Sequence, residues 1–138
     1  MLHISGPETC NSGNMLRLTE ALFMQQPDAT KAAYYERTLF NHILSAYDPV
    51  KGMCCYFTSM RPGHYRIYAS RDSCFWCCGH TGLESPAKLG KFIYSHKVTN
   101  RHQEKDIRVN LFIPSILSWK EEGVELIQQS RIPESEQV

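Results

Sequence analysis

The sequence predicts a mainly α-helical fold that contains one β-hairpin and ends in further strands. Apolar residues recur at helical spacing in the first third of the chain, two alternating segments joined by a turn follow, and more alternating segments come last. The 138 residues are 42% hydrophobic and 21% charged, which is typical of a folded globular chain. Composition leaves open whether the chain is one small domain or part of a larger one.

The first helix is expected after a loop that contains two capping residues. Asn11 or Ser12 can cap this helix, which should end before Pro27 because the residue preceding a proline disfavours helical geometry. Its buried face is predicted from apolar residues at helical spacing. These are Met15, Leu18 and Leu22, with Phe23 beside them.

The second helix should run over residues 29–47, from a cap at Asp28 to the turn signal at residues 48–52. Its apolar residues form one row of Tyr35, Leu39 and Ile43, with Ala32, Phe40 and Leu44 close by. A helix with so wide an apolar surface needs packing partners on two sides. The remaining elements cannot easily supply them, which indicates a missing scaffold.

A β-hairpin is predicted in the middle of the chain. Residues 53–60 and 64–70 have the composition of strands, and residues 61–63 (Arg-Pro-Gly) supply the turn. The first strand contains Cys54 and Cys55, which would point to opposite faces because side chains alternate along a strand. We expect this pair to be structural.

A third helix and two further strands are predicted after the hairpin. The helix should cover residues 82–96, and residues 97–106 are typical of a charged surface loop. Strands are expected at residues 107–114 and 123–129. This last third is typical of a β-rich unit that the chain begins and does not complete.

Three cysteines lie within five positions between the hairpin and the third helix. Neighbours such as Cys77 and Cys78 cannot form an unstrained disulfide, because bridged Cα atoms normally lie farther apart than one peptide step. Metal ligation, nucleophilic chemistry, burial and a C-x-x-C redox pair of Cys74 with Cys77 remain open. Gly79 and Gly82 allow a tight turn, after which the amides of a helix N-terminus would lower the pKa of the thiols.

A second donor pair lies near the start of the chain. The side chains of Glu8 and Cys10 can reach the same ligand position, since alternate side chains of an extended segment point the same way. Together with Cys77 and Cys78 they would form a four-ligand zinc site, although structural zinc is normally held by Cys and His alone. Three thiolates and a carboxylate carry excess negative charge, so one thiolate could leave the metal and act as a nucleophile.

Charge and hydropathy exclude some functions. The formal charge of +1 gives no electrostatic reason to expect a nucleic-acid or membrane partner, and no apolar run approaches the length that spans a bilayer. The first ten residues lack the pattern of a secretory signal. A cytoplasmic location is therefore favoured over secretion.

Five segments resemble, in order, the glycoside hydrolases of the β-L-arabinofuranosidase type: PETCNSGNMLRLTEALF, YYERTLFNHIL, GMCCYFTSMRPGHYRIYA, FWCCGHTGLESPAKLGKFIY and VNLFIPSILSWKEEGVEL. The resemblance extends over residues 7–129. It implies a fold in which an (α/α)6-barrel catalytic domain is followed by β-sandwich modules. Residues 1–106 would form the C-terminal part of the barrel domain with the cysteine cluster, and residues 107–138 would begin a truncated sandwich module.

The resemblance also implies the chemistry. The zinc ligands would be Glu8, Cys10, Cys77 and Cys78, with Cys77 as the nucleophile of a retaining mechanism. Two further positions, Glu36 and Tyr56, would contact the sugar. The substrate would be an oligosaccharide or glycan that contains L-arabinofuranose.

The chain departs from the family pattern in two places. The family's acid/base glutamate lies upstream of Glu8, farther back than the seven residues present here, and Cys74 stands where the family continues directly into Phe-Trp. The chain is therefore expected to be an incomplete, inactive portion with half an active site. The alternative is a non-catalytic remnant that is stabilised by zinc and binds sugar or protein, and a third hypothesis is a thiol redox protein. Exposed packing faces would also favour self-association of the chain.

Overall fold

The computed structural model describes residues 6–98 and 105–131, with the side chains of Val98 and Lys105 left out of the description. The chain divides into two compact units, Met1–Lys88 and Leu89–Val138. The helices are α1 (Thr9–Gln25), α2 (Ala29–Thr38) and α3 (Cys77–Lys88), and the strands are β1 (Tyr94–Val98), β2 (Lys105–Val109), β3 (Ser115–Trp119) and β4 (Val124–Gln128). Helices with C-terminal strands were expected, and the structure has them. None of the described helices is both long and apolar enough to cross a membrane.

Helix α1 begins earlier and buries a different face than the sequence predicts. It starts at Thr9, after an extended Glu8 whose side chain makes no capping hydrogen bond, so the expected caps at Asn11 and Ser12 are wrong. The buried residues are Thr9, Leu16, Thr19 and Phe23. Of the predicted face, Phe23 is buried, whereas Met15, Leu18 and Leu22 are exposed at 40%, 50% and 44%. Apolar spacing misses this face because it includes a threonine: the Thr19 hydroxyl is satisfied by donating to the Met15 carbonyl at 2.7 Å.

Helix α2 follows its prediction at the start and changes geometry towards its end. Asp28 caps it, because its carboxylate accepts a hydrogen bond from the Thr30 amide at 2.7 Å. Beyond Thr38 the chain continues as a π-helical turn (Leu39–Ile43) and a 3₁₀ turn (Leu44–Ala46). The predicted row is confirmed as buried, with relative exposures of 6% for Tyr35 and 1% each for Leu39 and Ile43.

The hairpin predicted over residues 53–70 does not form continuous strands, and its two halves are joined by one antiparallel bridge, Cys55 with Tyr68. The segment forms only isolated bridges, another of which joins Tyr47 with Cys54. The reason is that backbone groups of the first predicted strand pair with other segments, since the Cys55 amide donates to the Ala46 carbonyl and the Thr58 amide to the Pro7 carbonyl. No continuous two-stranded ladder can form with partners divided in this way. Cys54 and Cys55 are nevertheless buried, as expected of a structural pair.

Helix α3 starts at Cys77, five residues before the predicted start, and ends at Lys88. The tight turn expected at Gly79 and Gly82 is therefore wrong, and both glycines lie inside the helix. They permit close packing instead, because a Cβ atom at Gly79 would lie 2.2 Å from the Cys74 carbonyl oxygen and one at Gly82 would lie 3.1 Å from Cys54 Sγ. Residues 94–96, assigned to this helix from the sequence, begin β1 instead.

The described part of the second unit contains two antiparallel hairpins. Strand β1 pairs with β2 in the register Tyr94↔Val109, and β3 pairs with β4 in the register Ser115↔Gln128. The predicted strand at residues 123–129 is confirmed as β4, the one at 107–114 overlaps only the end of β2, and β3 was not predicted. Of the predicted loop at 97–106, residues 99–104 lie outside the described residues.

Candidate metal centre

The structure brings Glu8, Cys10, Cys77 and Cys78 together. Glu8 immediately precedes α1, Cys10 lies in its first turn, and the two adjacent cysteines are the first two residues of α3. One ligand atom from each of the four lies within 4.8 Å of every other. Two helix N-termini therefore meet at this cluster.

A third segment, residues 54–56, contacts the N-terminal ends of both α1 and α3. The Thr9 hydroxyl donates to the Cys55 carbonyl at 3.2 Å, and the Thr9 amide donates to the Tyr56 carbonyl at 3.4 Å. From the other side, Cys54 Sγ lies 3.5 Å from the Cys78 carbonyl oxygen. Residues 54–56 thus contact the start of both helices, which explains why Cys54 and Cys55 are buried.

The spacing of the donor atoms fits zinc. A tetrahedral zinc ion with Zn–S bonds of about 2.3 Å and a Zn–O bond of about 2.0 Å needs donor atoms about 3.5–3.8 Å apart. Cys77 Sγ lies 3.5 Å from Cys10 Sγ and 3.4 Å from Glu8 Oε1, and Cys78 Sγ lies 3.9 Å from that oxygen. The contact of Cys10 Sγ with Glu8 Oε1, at 2.6 Å, must widen as a cation replaces the hydrogen bond between them.

The four donors differ in their access to solvent. Cys78 is fully buried, Glu8 and Cys10 are half-buried, and Cys77 is exposed. A reactant can therefore reach the sulfur of Cys77 but not that of its neighbour Cys78.

The electrostatics of the protein groups alone keep the proton on the sulfur of Cys10. Burial, followed by hydrogen bonding to Glu8, raises the pKa of the Cys10 thiol far above its usual value. The hydrogen bond from Cys10, followed by that from Cys77, lowers the pKa of the Glu8 carboxyl. A bound divalent cation reverses this preference, because its charge favours the thiolate.

Tyr56 also reaches the cluster. Its hydroxyl oxygen lies 3.3 Å from Cys77 Sγ, and this hydrogen bond is the main cause of the raised pKa of Tyr56. The Tyr56 ring contacts those of Phe57 and Trp76, with centroids 4.5 Å and 5.8 Å away. Of the two residues predicted to contact sugar, Tyr56 is thus beside the exposed sulfur.

Glu36 is not brought to the cluster by any contact within the described parts of the chain. It lies half-buried on α2 and takes no part in the hydrogen bonds that link the four donors. The structure leaves its predicted role in sugar binding open.

The C-x-x-C redox hypothesis gains no support from the geometry. All six cysteines are free thiols, and Cys74 Sγ lies 3.6 Å from the Arg71 carbonyl oxygen. Cys77 instead has Cys10, Glu8 and Tyr56 as its partners.

Three supporting residues were missed from the sequence. Thr9 anchors α1 as described, the Tyr47 hydroxyl donates to the Gly82 carbonyl, and His42 Nδ1 lies 2.7 Å from Ser12 Oγ in α1. Burial lowers the pKa of the His42 imidazole. No local pattern marks such residues, because their partners lie 30 or more positions away.

Two protein-family models match the chain. Residues 2–91 match the model described as "Beta-L-arabinofuranosidase, GH127 catalytic domain", and residues 106–138 match "Beta-L-arabinofuranosidase, GH127 middle domain". No individual curated protein matches the chain significantly. All four donors lie in the first match, which alone covers more than half of the chain. The chain therefore belongs to the GH127 β-L-arabinofuranosidase family of glycoside hydrolases.

Proposed function

We propose that the chain carries the zinc site and the nucleophile of a retaining β-L-arabinofuranosidase. The observation that carries this proposal is the convergence of one carboxylate and three sulfurs, of which one sulfur, that of Cys77, is open to solvent. In this proposal Glu8, Cys10, Cys77 and Cys78 hold the metal. Residues 1–106 belong to an (α/α)6-barrel catalytic domain, and residues 107–138 begin a β-sandwich module.

When bound, zinc supplies the positive charge that keeps sulfur deprotonated near neutral pH. Cys77 Sγ then attacks the anomeric carbon of a terminal L-arabinofuranoside, while the bond to the leaving oxygen breaks and a general acid protonates that oxygen. In the second step the same group, now a base, takes a proton from water, the water oxygen attacks the same carbon, and the carbon–sulfur bond breaks with its electron pair returning to Cys77. Two inversions at one carbon retain its configuration.

Two other side chains serve the sugar in this proposal. The Tyr56 hydroxyl, 3.3 Å from Cys77 Sγ, lies where it can contact a ring bound at that sulfur. The Glu36 carboxylate is proposed to accept hydrogen bonds from hydroxyls of the sugar. The substrate is a glycan with a terminal L-arabinofuranose.

The metal site is tested by zinc content and by affinity labelling. We expect one zinc ion per chain by mass spectrometry, and labelling of Cys77 by a bromoacetamide derivative of L-arabinofuranose. Cys77→Ser should weaken zinc binding and abolish the label. Cys74→Ser, three positions away and outside the cluster, should change neither. A chain that binds no zinc, or labels equally on Cys54, Cys74 and Cys77, would contradict the proposal.

The general acid must be a carboxylate other than Glu8. Within the described residues, Glu8 is the carboxylate that contacts the cluster, and it serves as a ligand. General acids contribute roughly 10²–10⁴-fold to such rates. We therefore expect the 138-residue polypeptide, loaded with zinc, to hydrolyse an aryl β-L-arabinofuranoside no faster than its Cys77→Ser variant. Turnover that exceeds this variant would show that the chain is a complete catalyst.

One observation favours a second function. Four protein donors fill a tetrahedral shell, as in structural zinc sites, whereas catalytic zinc usually keeps one position open. A non-catalytic module stabilised by zinc and binding sugar or protein has the same donor set. In such a module Cys77 would remain a closed metal ligand that is not alkylated, so labelling confined to Cys77 favours the glycosidase.

A further inference from the structure

The second unit contains a cavity that the metal centre does not use. It has a volume of about 280 Å³, which is just below the usual range of about 300–1,000 Å³ for small-ligand sites. Its lining comes from both hairpins: Tyr94, His96 and Ile107 from the first, and Leu117, Trp119 and Glu121 from the second and the turn after β3. We call it the hairpin cavity.

One wall of the hairpin cavity is aromatic and fixed in position. The rings of His96 and Trp119 lie with centroids 5.1 Å apart and planes inclined by 45°. The Trp119 indole N–H donates to Glu121 Oε2 at 3.2 Å, which restrains the indole. Alternation along β3 directs Leu117 and Trp119 to one side of the strand and leaves Ile116, 66% exposed, on the other.

The chemistry of this lining is that of a sugar site. A sugar ring presents C–H groups on its faces and hydroxyls around its edge, so it packs on an aromatic ring and needs polar partners beside it. The hairpin cavity offers the Trp119 and His96 rings, an apolar floor of Ile107 and Leu117, and the carboxylate of Glu121. Ligand sites generally combine apolar walls with a few polar groups in this way.

The charge of the lining narrows the class of ligand. Glu121 is the acidic group among the lining residues, and no lysine or arginine is among them. An anionic ligand would be repelled by this carboxylate, whereas neutral hydroxyls can donate to it. From these contacts we propose that the hairpin cavity binds a neutral sugar residue of a glycan, as a site additional to the metal centre. The choice of a sugar from the glycosidase substrate, L-arabinofuranose, rests on the proposed function.

The two tryptophans of the chain make the test direct. Trp119 lines the hairpin cavity, and Trp76 packs on Tyr56 beside Cys77, so fluorotryptophan NMR gives one signal for each site. The full zinc-loaded chain is titrated with methyl β-L-arabinofuranoside. We expect a saturable shift of the Trp119 signal. An unchanged Trp119 signal overturns the inference, even where a shift at Trp76 supports the proposed function.

Three comparisons sharpen the result. Glu121→Gln preserves the size of the side chain but removes its charge, and should weaken binding at Trp119 about tenfold because a hydrogen bond to a charged acceptor is lost. Ile116→Ala, on the other side of β3, should leave binding unchanged. The corresponding furanosiduronate, which keeps the ring and carries a carboxylate at C5, should bind at least about tenfold more weakly than the neutral glycoside. Equal affinity of the two ligands, or equal loss in both variants, overturns the assignment.

Discussion

Gly79 has a structural role that differs from the turn its sequence context predicts. It is the third residue of α3, directly after the two cysteines of the cluster. A Cβ atom there would lie 2.2 Å from the Cys74 carbonyl oxygen, far inside the range that real contacts show. The chain before α3 therefore passes against its first turn, and this close approach helps to fix the position of Cys77 and Cys78.

Gly79→Ala should therefore destabilise the protein by about 2–3 kcal/mol, because backbone must move to relieve the overlap. Gly90→Ala is the matched control: a Cβ atom at Gly90 meets nothing within 4 Å, so this variant should unfold at the same denaturant concentration as the parent chain. Urea unfolding measures both. A Gly79→Ala protein as stable as Gly90→Ala would show that the preceding segment does not hold α3.

The four candidate metal ligands could be predicted from the sequence because cysteine and glutamate are residue types that bind metal ions. Adjacent Cys77 and Cys78 exclude a simple disulfide, and the order of the blocks around them matches a known family. Thr9 and Tyr47 could not be predicted in the same way, since threonine and tyrosine occur in every kind of environment. Their roles come from contacts with residues 46 and 35 positions away.

The start of α1 is fixed by tertiary contacts rather than by its own sequence. Glu8 makes no side-chain cap, and the first turn holds no acidic residue that would complement the helix dipole. Thr9 replaces these local signals: it is 4% exposed, and its hydroxyl donates to the Cys55 carbonyl at 3.2 Å. This contact positions the ligands on either side of it, Glu8 and Cys10.

Thr9→Val should lower the free energy of unfolding by about 1–2 kcal/mol, since it preserves the shape but leaves a buried carbonyl without this donor. Zinc affinity should fall with it, because residue 9 lies between two ligands. Thr19→Val is the control, as Thr19 is also buried on α1 and its hydroxyl bonds only within the helix. Unfolding and competition with a zinc chelator are measured for both. Equal zinc affinity in the two variants would contradict an anchoring role for Thr9.

Elements with a strong local signal were predictable, and those that depend on distant partners were not. Asp28 and the apolar row after it define α2, and residues 123–129 contain β4. The segment 53–70 has strand composition, yet its hydrogen-bonding groups are used by three other parts of the chain. Strand β3 was not predicted, because Pro114 directly precedes it and proline is typical of irregular connections.

Both units carry large apolar side chains on their surfaces. In the first unit these include Leu18 and Leu22 on α1, and in the second Ile116 and Ile127. Contiguous exposed apolar surface usually marks a contact with another part of a protein or with a second molecule. The wide apolar surface of the helices was predictable from their spacing, whereas the side of α1 left uncovered depended on packing with α2 and α3.

We expect the isolated chain to associate with a second copy through the exposed row of α1. Leu18→Glu combined with Leu22→Lys removes this row, preserves the net charge, and places opposite charges four residues apart, which favours the helix. The double variant should raise the dissociation constant of the dimer by about tenfold or more, as sedimentation velocity would measure.

Tyr65→Glu with Ile67→Lys is the control, because these side chains are 82% and 69% exposed outside any helix. Loss of association in both double variants would place the contact elsewhere on the first unit, and a parent chain that stays monomeric would show that the exposed row is tolerated in water.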